Sequence, residues 1–327
     1  MTSRQLGSHG PAVSRLGLGC MAMSGVYGSI DDVESTSTIQ MALDEGINLL
    51  DTGDFYGMGH NEMLIGQAIK GRRDKVVLSV KFGPMRAPSG EHIGFDGRPL
   101  AVKNFLSYSL RRLGTDYIDI YRAGRLDPTV PIEDTVGAMV EMQRAGYIRY
   151  ISLSEISGKT ARRANAVYPI TDVQLEYSAI SRNMETKVLP TLRELGIGVT
   201  AYAVLSRGLL AGSALKEKGD GRVHFPRFAG SNLEQNQKVA AAFQQAARER
   251  GISAAQLAIA WVLAQGDDIV PVVGSRTRTQ LCDTLGALNV RLTAEELRRI
   301  DAAASPAKIA GDRYNPIQME ILDSERV

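Results

Sequence analysis

Apolar residues in this chain fall into short, nearly continuous runs separated by longer amphipathic stretches. The runs are "RLGLGC", "INLL", "KVVLSVKF", "YIDIY", "YISLS", "TDVQLEYS", "IGVTAYAV" and "DDIVPVVGS". Runs such as Ile47 to Leu50 show no polar alternation, which predicts strands buried on both faces, as in a parallel sheet. The intervening stretches predict helices around residues 33–45, 60–70, 102–113, 132–145, 158–167, 185–195 and 234–265. In four repeats a glycine ends the helix just before the strand: Gly46, Gly114, Gly146 and Gly196. Each stands where a helix closes through a left-handed residue.

Strict alternation of strand and helix predicts parallel strands joined by right-handed crossovers. Eight such units close naturally into a barrel. The expected fold class is therefore α/β, a (β/α)8 TIM barrel spanning 1–327 as a single domain. A doubly wound open sheet is the competitor, but "GLGCMA" has only the first two glycines of the Gly-x-Gly-x-x-Gly fingerprint. "RQLGSHGPAVS" reads as an N-terminal β-hairpin over the barrel bottom, and the long connections 82–100 and 205–233 as top-face loops.

Composition narrows the partners. Of 327 residues, 44% are hydrophobic and 23% charged, enough for a large core. The net charge of +2, without a long basic run, argues against nucleic acid. Two distant cysteines, Cys20 and Cys282, suggest neither a disulfide framework nor a thiolate metal site. No secretory signal begins the sequence and no apolar run is long enough to span a membrane. The expectation is a cytoplasmic protein acting on a small molecule.

In a barrel, the C-terminal strand ends converge on one site. Here they carry Asp51 in "LLDTGDFYG", Tyr56 on the loop that follows, and Lys81 in "LSVKFG". Singly, these read as a loop cap, a packing aromatic and a solvated boundary lysine. Together they form a proton-transfer group: the lysine cation is expected to depress the Tyr56 pKa while Asp51 holds the lysine. Tyr56 then serves as general acid.

The chain resembles the aldo/keto reductases, specifically the bacterial and plant branch of small-carbonyl and secondary-metabolite reductases. The likeness runs nearly end to end, through "RLGLGCMAMS", "GINLLDTGDFYGMGHNEMLIGQAIKGRRDKVVLSVKFG", "VQLEYS", "GRVHFPRF" and "RYNPIQMEILD". It implies that Asp51, Tyr56 and Lys81 are catalytic and that NADP(H) binds in an extended form. By the same resemblance, Gly19 and Met21 lie along the cofactor beside Asp51. Ser154, with Glu155 beside it, and Gln174 hold the nicotinamide carboxamide, and Tyr202 stacks on the ring. Leu205, Arg207 and Gly208 wrap the pyrophosphate. Gly274, Ser275 and Arg276 meet the adenosine 2′-phosphate, with Gln280 and Asp283 on the following helix. Without the resemblance, Arg276 and Arg278 would read as a solvated face.

Two positions depart from that pattern. Gln280, Asp283 and Thr284 replace the usual Arg and Glu-Asn of the adenosine segment. More consequentially, "YRAGRLDP" stands where relatives read "YxxHRxDP", so Gly124 replaces the histidine that polarises the substrate carbonyl. Removing one such donor costs about 10²–10³ in turnover. His9, on the bottom hairpin, and His60, at a helix start, are poor substitutes; His92 and His224 lie on the top-face loops. Arg122 shares the inward strand face with Gly124. It is a candidate to reach into the histidine site, to pair with Asp51 or Glu155, or to be turned by local twist into an ion pair between helices. The function implied is an NADPH-dependent reduction of a carbonyl, an imine or a conjugated C=C. The alternatives are a cofactor-binding protein with little catalysis, like the potassium-channel beta subunits, and a non-reductive lyase or dehydratase.

Overall fold

A computed structural model describes residues 2–213, 215 and 220–326. Eight parallel strands close into a barrel: Gly17–Gly19, Leu49–Gly53, Val77–Phe82, Ile118–Ala123, Ile148–Ser154, Asp172–Glu176, Gly198–Tyr202 and Ile269–Gly274. They are called the first to eighth strands below. Closure comes from the pairing of the eighth with the first, where Val272, Val273 and Gly274 register with Gly17, Leu18 and Gly19. The outward strand faces pack on the surrounding helices in one continuous core that includes Leu50, Leu78, Tyr121 and Trp261.

The predicted hairpin is formed by Ser3–Gln5 and Ala12–Ser14. Its Leu6 and Val13 pack with Leu49, Ile120, Val270 and Val272, which seals the bottom with an apolar layer. The four repeat glycines all adopt left-handed φ, between +62° and +87°. Two helix expectations change. The stretch 234–265 is two helices, Gly230–Glu249 and Ala254–Leu263. Gly251 (φ +68°) turns the chain between them, and Ser253 and Gln256 cap the second helix reciprocally. Within 185–195 the helix breaks at Val188, giving Met184–Lys187 and Leu189–Glu194. The loop 82–100 contains a further hairpin, Pro84–Arg86 with His92–Phe95. Among the described residues, no helix is long and apolar enough to cross a membrane.

Inward-pointing residues form tiers. Above the apolar layer, the second to seventh strands contribute Asp51, Ser79, Arg122, Ser152, Asp172 and Thr200, all buried and all polar. A barrel interior is usually filled by branched apolar side chains. Hydrogen bonds centred on Arg122 join all six side chains, and of their atoms Asp172 Oδ1 is left without a partner among the described residues.

A second buried charge cluster lies behind the second strand. Asp54 and Glu62 are buried, with Arg112 Nη1 donating to Glu62 Oε2 at 3.0 Å. Asp54 Oδ1 and Glu62 Oε1 have no hydrogen-bond partner among the described residues. Burial, reinforced by the Glu62 charge, pushes the Asp54 carboxyl up to about 8 against the pull of Arg112. The folded state therefore binds this proton more tightly than the unfolded chain, and stability declines as pH rises from about 4 to about 8. Asp54→Asn should flatten this slope, raising the urea midpoint at pH 8 relative to that at pH 5; an unchanged pH dependence would refute the assignment.

Candidate active site

The second and third strands are in register, pairing Asp51 with Ser79 and Gly53 with Lys81. Asp51 and Lys81 point inward two residues apart in height, and Lys81 Nζ donates to Asp51 Oδ1. The other Asp51 oxygen accepts from Ser79 Oγ (3.0 Å), Arg122 Nη1 (2.8 Å) and Gln174 Nε2 (3.0 Å). Burial alone would raise the Asp51 pKa, but Lys81 and Arg122 outweigh it and hold the carboxylate below its ordinary value. For Lys81, burial is the larger influence: with the added repulsion of Arg122 it lowers the amine to about 8, despite Asp51.

Tyr56 stands over this pair, its ring centroid 5.1 Å from Lys81 Nζ. One expectation is overturned here. The phenol is raised well above its ordinary pKa, first by burial and then by the Asp51 charge. Lys81 contacts the ring, and the cation that pulls the phenol down is Arg125. Tyr56 is thus a neutral donor at physiological pH, with its proton in place for transfer.

Arg122 does not reach the histidine site. Its guanidinium is fully buried one tier below, with Nε on Ser152 Oγ (2.7 Å) and Nη1 on Ser79 Oγ (2.6 Å) and Asp51. Nη2 donates to Asp172 Oδ2 (2.7 Å) and Thr200 Oγ1 (3.2 Å). Of the expected roles, pairing with Asp51 is the one found, and neither Glu155 nor a helix takes part. Strand alternation put Arg122 inward correctly, but its side chain is satisfied within the barrel and holds Asp51 from beneath.

Gly124 lies beyond the end of the fourth strand, its N–H donating to Phe82 O at 2.8 Å. A Cβ there would come within 3.0 Å of that same carbonyl oxygen and 3.3 Å of Pro84 Cδ. The position is tight as well as vacant, so a histidine would require Pro84 to move.

A cavity of about 1020 Å³ opens above these residues. It is lined by Asp51, Tyr56 and Lys81 and by most of the expected cofactor residues: Gly19, Met21, Ser154, Gln174, Tyr202, Leu205, Arg207, Gly208, Gly274, Arg276, Gln280 and Asp283. Of the described non-glycine residues with a left-handed φ (Met58, Glu155, Ala203, Ser206 and Arg207), Met58, Ala203 and Arg207 line this cavity, and Glu155 and Ser206 are chain neighbours of residues that do. Strained backbone of this kind clusters at functional sites. Two expected residues do not line it. Ser275 is buried with Oγ 3.2 Å from Thr284 Oγ1. Glu155 is turned outward to the C-terminal segment, where Arg313 (3.0 and 2.6 Å) and Ser324 bind it and Tyr202 OH donates to it at 2.8 Å. Its carboxylate is consumed by those partners and supports Tyr202 from behind. Asp283 reaches the cavity but is also engaged by Ser253 and Gln256 at 3.0 Å each. Arg278 pairs with Glu34 at the surface.

Of the four histidines, only His92 lines the cavity. His60 is held by Ser24 (3.0 Å) and Asp32 (3.1 Å) at its helix start. Sequence reasoning missed Arg125 and Tyr314. Arg125 Nη1 donates to Gly124 O (2.6 Å) and Ser154 Oγ (3.3 Å), and Nη2 to Tyr314 OH (3.3 Å). The Tyr314 hydroxyl lies 2.8 Å from that of Tyr202.

A closed parallel barrel with Asp, Tyr and Lys gathered at its C-terminal mouth defines a class, and the sequence profile of the aldo/keto reductase family matches residues 15–305. The chain belongs to this family of oxidoreductases. It is 39% identical over 316 residues to the probable aldo-keto reductase 1 of Glycine max, covering 95% of this chain and 91% of the relative. Among solved structures, the glycerol dehydrogenase of Gluconobacter oxydans superposes with a TM-score of 0.82 at 30% identity, covering 93% and 96% of the two chains. An aldo-keto reductase of Klebsiella pneumoniae in complex with NADPH superposes with a TM-score of 0.74 at 25% identity, covering 93% and 95%.

Replacing Arg122 by Met would leave Asp51 and Asp172 as buried carboxylates without their shared partner. The variant should lose about 3–5 kcal/mol of stability by urea titration. Where it still folds, kcat should fall more than cofactor affinity. Wild-type stability together with wild-type turnover would refute the role.

Proposed function

We propose that this chain is an NADPH-dependent reductase of a small organic carbonyl compound, with Tyr56 as general acid. The observation that carries the reading is the juxtaposition of Asp51, Lys81 and Tyr56, all closely packed at one end of a 1020 Å³ cavity. The rest of the cavity suits an extended dinucleotide. Ser154 and Gln174 offer amide-binding groups at strand tips, and Tyr202 offers an aromatic wall. Among the described residues the Arg276 guanidinium has one hydrogen bond, to Tyr27 O at 3.4 Å, so its charge is available to a phosphate. The Klebsiella pneumoniae relative with bound NADPH supports the same choice. When bound, the dinucleotide supplies the hydride.

The chain's own part is binding and proton delivery. Tyr56, neutral and half-buried at the cavity wall, donates its proton to the oxygen on which negative charge develops. Lys81 lies against the ring and, as a cation, stabilises the phenolate left behind. Asp51 fixes the lysine, and Arg122 fixes Asp51. Burial excludes water, which strengthens each of these interactions.

Tyr56→Phe should reduce kcat by about 10²–10⁴ while the NADPH dissociation constant, followed by protein fluorescence, stays within about twofold. Because Lys81 loses its proton near pH 8, kcat/KM for reduction should fall above that pH. NADPH oxidation by Tyr56→Phe at the wild-type rate across a carbonyl panel would overturn the proposal.

A further inference from the structure

The cavity carries one cation without a counter-ion beside the reacting group. Lys81 is paired with Asp51, Arg207 with Glu176 and Arg222 with Asp220. Arg276 belongs to the end assigned to the cofactor, and Arg86 is exposed on the hairpin at the cavity mouth. Arg125 is different. Among the described residues no carboxylate lies within ion-pair distance of it, and its three acceptors are all neutral: Gly124 O, Ser154 Oγ and Tyr314 OH. A guanidinium has five N–H donors. Those bonds leave the Nε–H and one Nη2–H without an acceptor among the described residues.

The surrounding hydrogen bonds hold this cation in place. Tyr202 donates to Glu155, so Tyr314 donates to Tyr202 and accepts from Arg125. The guanidinium is thereby fixed at the cavity wall, yet its charge is separated from the nearest carboxylate by two hydroxyls. Gly124 adds no side chain that could cover it. A partly desolvated guanidinium with unused donors calls for an anion, and its planar fork matches the two oxygens of a carboxylate. One guanidinium suits a monoanion better than a phosphate dianion.

We propose that Arg125 is a substrate-docking residue and that the substrate class is a carbonyl compound bearing a carboxylate. The proposal rests on the reductase reading above. Arg125 grips the carboxylate and so places the carbonyl oxygen under the Tyr56 hydroxyl. Burial, Arg86 and Arg125 together lower the His92 pKa, which places two cations beside this part of the cavity wall.

The test is NADPH oxidation with glyoxylate, 4-oxobutanoate and 5-oxopentanoate, each against its methyl ester. Wild-type protein should favour at least one acid over its ester by about tenfold or more in kcat/KM. In Arg125→Met that ratio should fall to near one, mainly through KM, with NADPH affinity within about twofold of wild type. Arg125→Lys, which keeps the charge and loses the fork, should restore part of the preference. Equal or better use of the esters by wild type would overturn the docking role while leaving the reductase reading standing, as would an acid preference that survives in Arg125→Met. A change in NADPH affinity with no change in the ratio would also overturn it, reassigning Arg125 to the cofactor. If neutral carbonyls and acids alike fail to oxidise NADPH, both readings fall together.

Discussion

The structure turns on a guanidinium with nowhere to go. Arg122 is enclosed by the barrel on every side, so its charge must be matched inside the barrel. Asp51 from the second strand and Asp172 from the sixth provide that match, with Ser79, Ser152 and Thr200 taking the remaining donors. Five strands are thereby tied to the fourth through side chains, in addition to the ladder hydrogen bonds. The arrangement rewards one relative rotation of these strands and penalises others, because a slip would strand an unpaired charge in the interior. The apolar plug below and the open cavity above are both referenced to this tier.

That constraint carries upward into chemistry. Asp51 is shared between Arg122 and Lys81, so the carboxylate cannot follow one cation without abandoning the other. Burial, with the repulsion of Arg122 added, makes the lysine hold its proton less tightly than an isolated surface amine, and its ammonium lies over the Tyr56 ring. The phenol stays protonated because burial and Asp51 both resist its ionisation. At Gly124 the wall is backbone, and the Arg125 guanidinium lies against it with Nη1 donating to the Gly124 carbonyl.

Much of this was legible from one strand to the next. The four helix-glycine-strand repeats report local geometry, and the eight strands they help to mark close a barrel. Asp51, Tyr56 and Lys81 were readable because strand ends converge. What was not legible depends on distant partners or on places where a local rule stops. Arg122 reads as inward from alternation, but nothing near it in sequence announces that Asp172, fifty residues on, would answer its charge. Arg125 would point outward if the strand continued; instead the strand ends at Ala123, the chain bends at Gly124, and alternation no longer applies. Glu155 looked like a cofactor ligand until Arg313 and Ser324, which follow it by more than 150 residues, were seen to occupy it. The long helix expected at 234–265 failed for a local reason, the Gly251 turn and Ser253 cap.

The C-terminal segment has a consequence for how the molecule comes into being. Arg313 and Ser324 hold Glu155, Asp323 accepts from the Ser157 N–H at 2.7 Å, and Tyr314 lines the cavity. The first strand, for its part, finds its second neighbour only when the eighth has appeared. On a ribosome, where residues emerge one after another from the N-terminus, neither event can take place until Ser324 and the eighth strand have left the exit tunnel. Early strands can pair with each other, but their unsatisfied edges must wait. The cavity wall therefore forms after the strands beneath it, and a chain cut short before Tyr314 has Asp51, Tyr56 and Lys81 without that part of the wall.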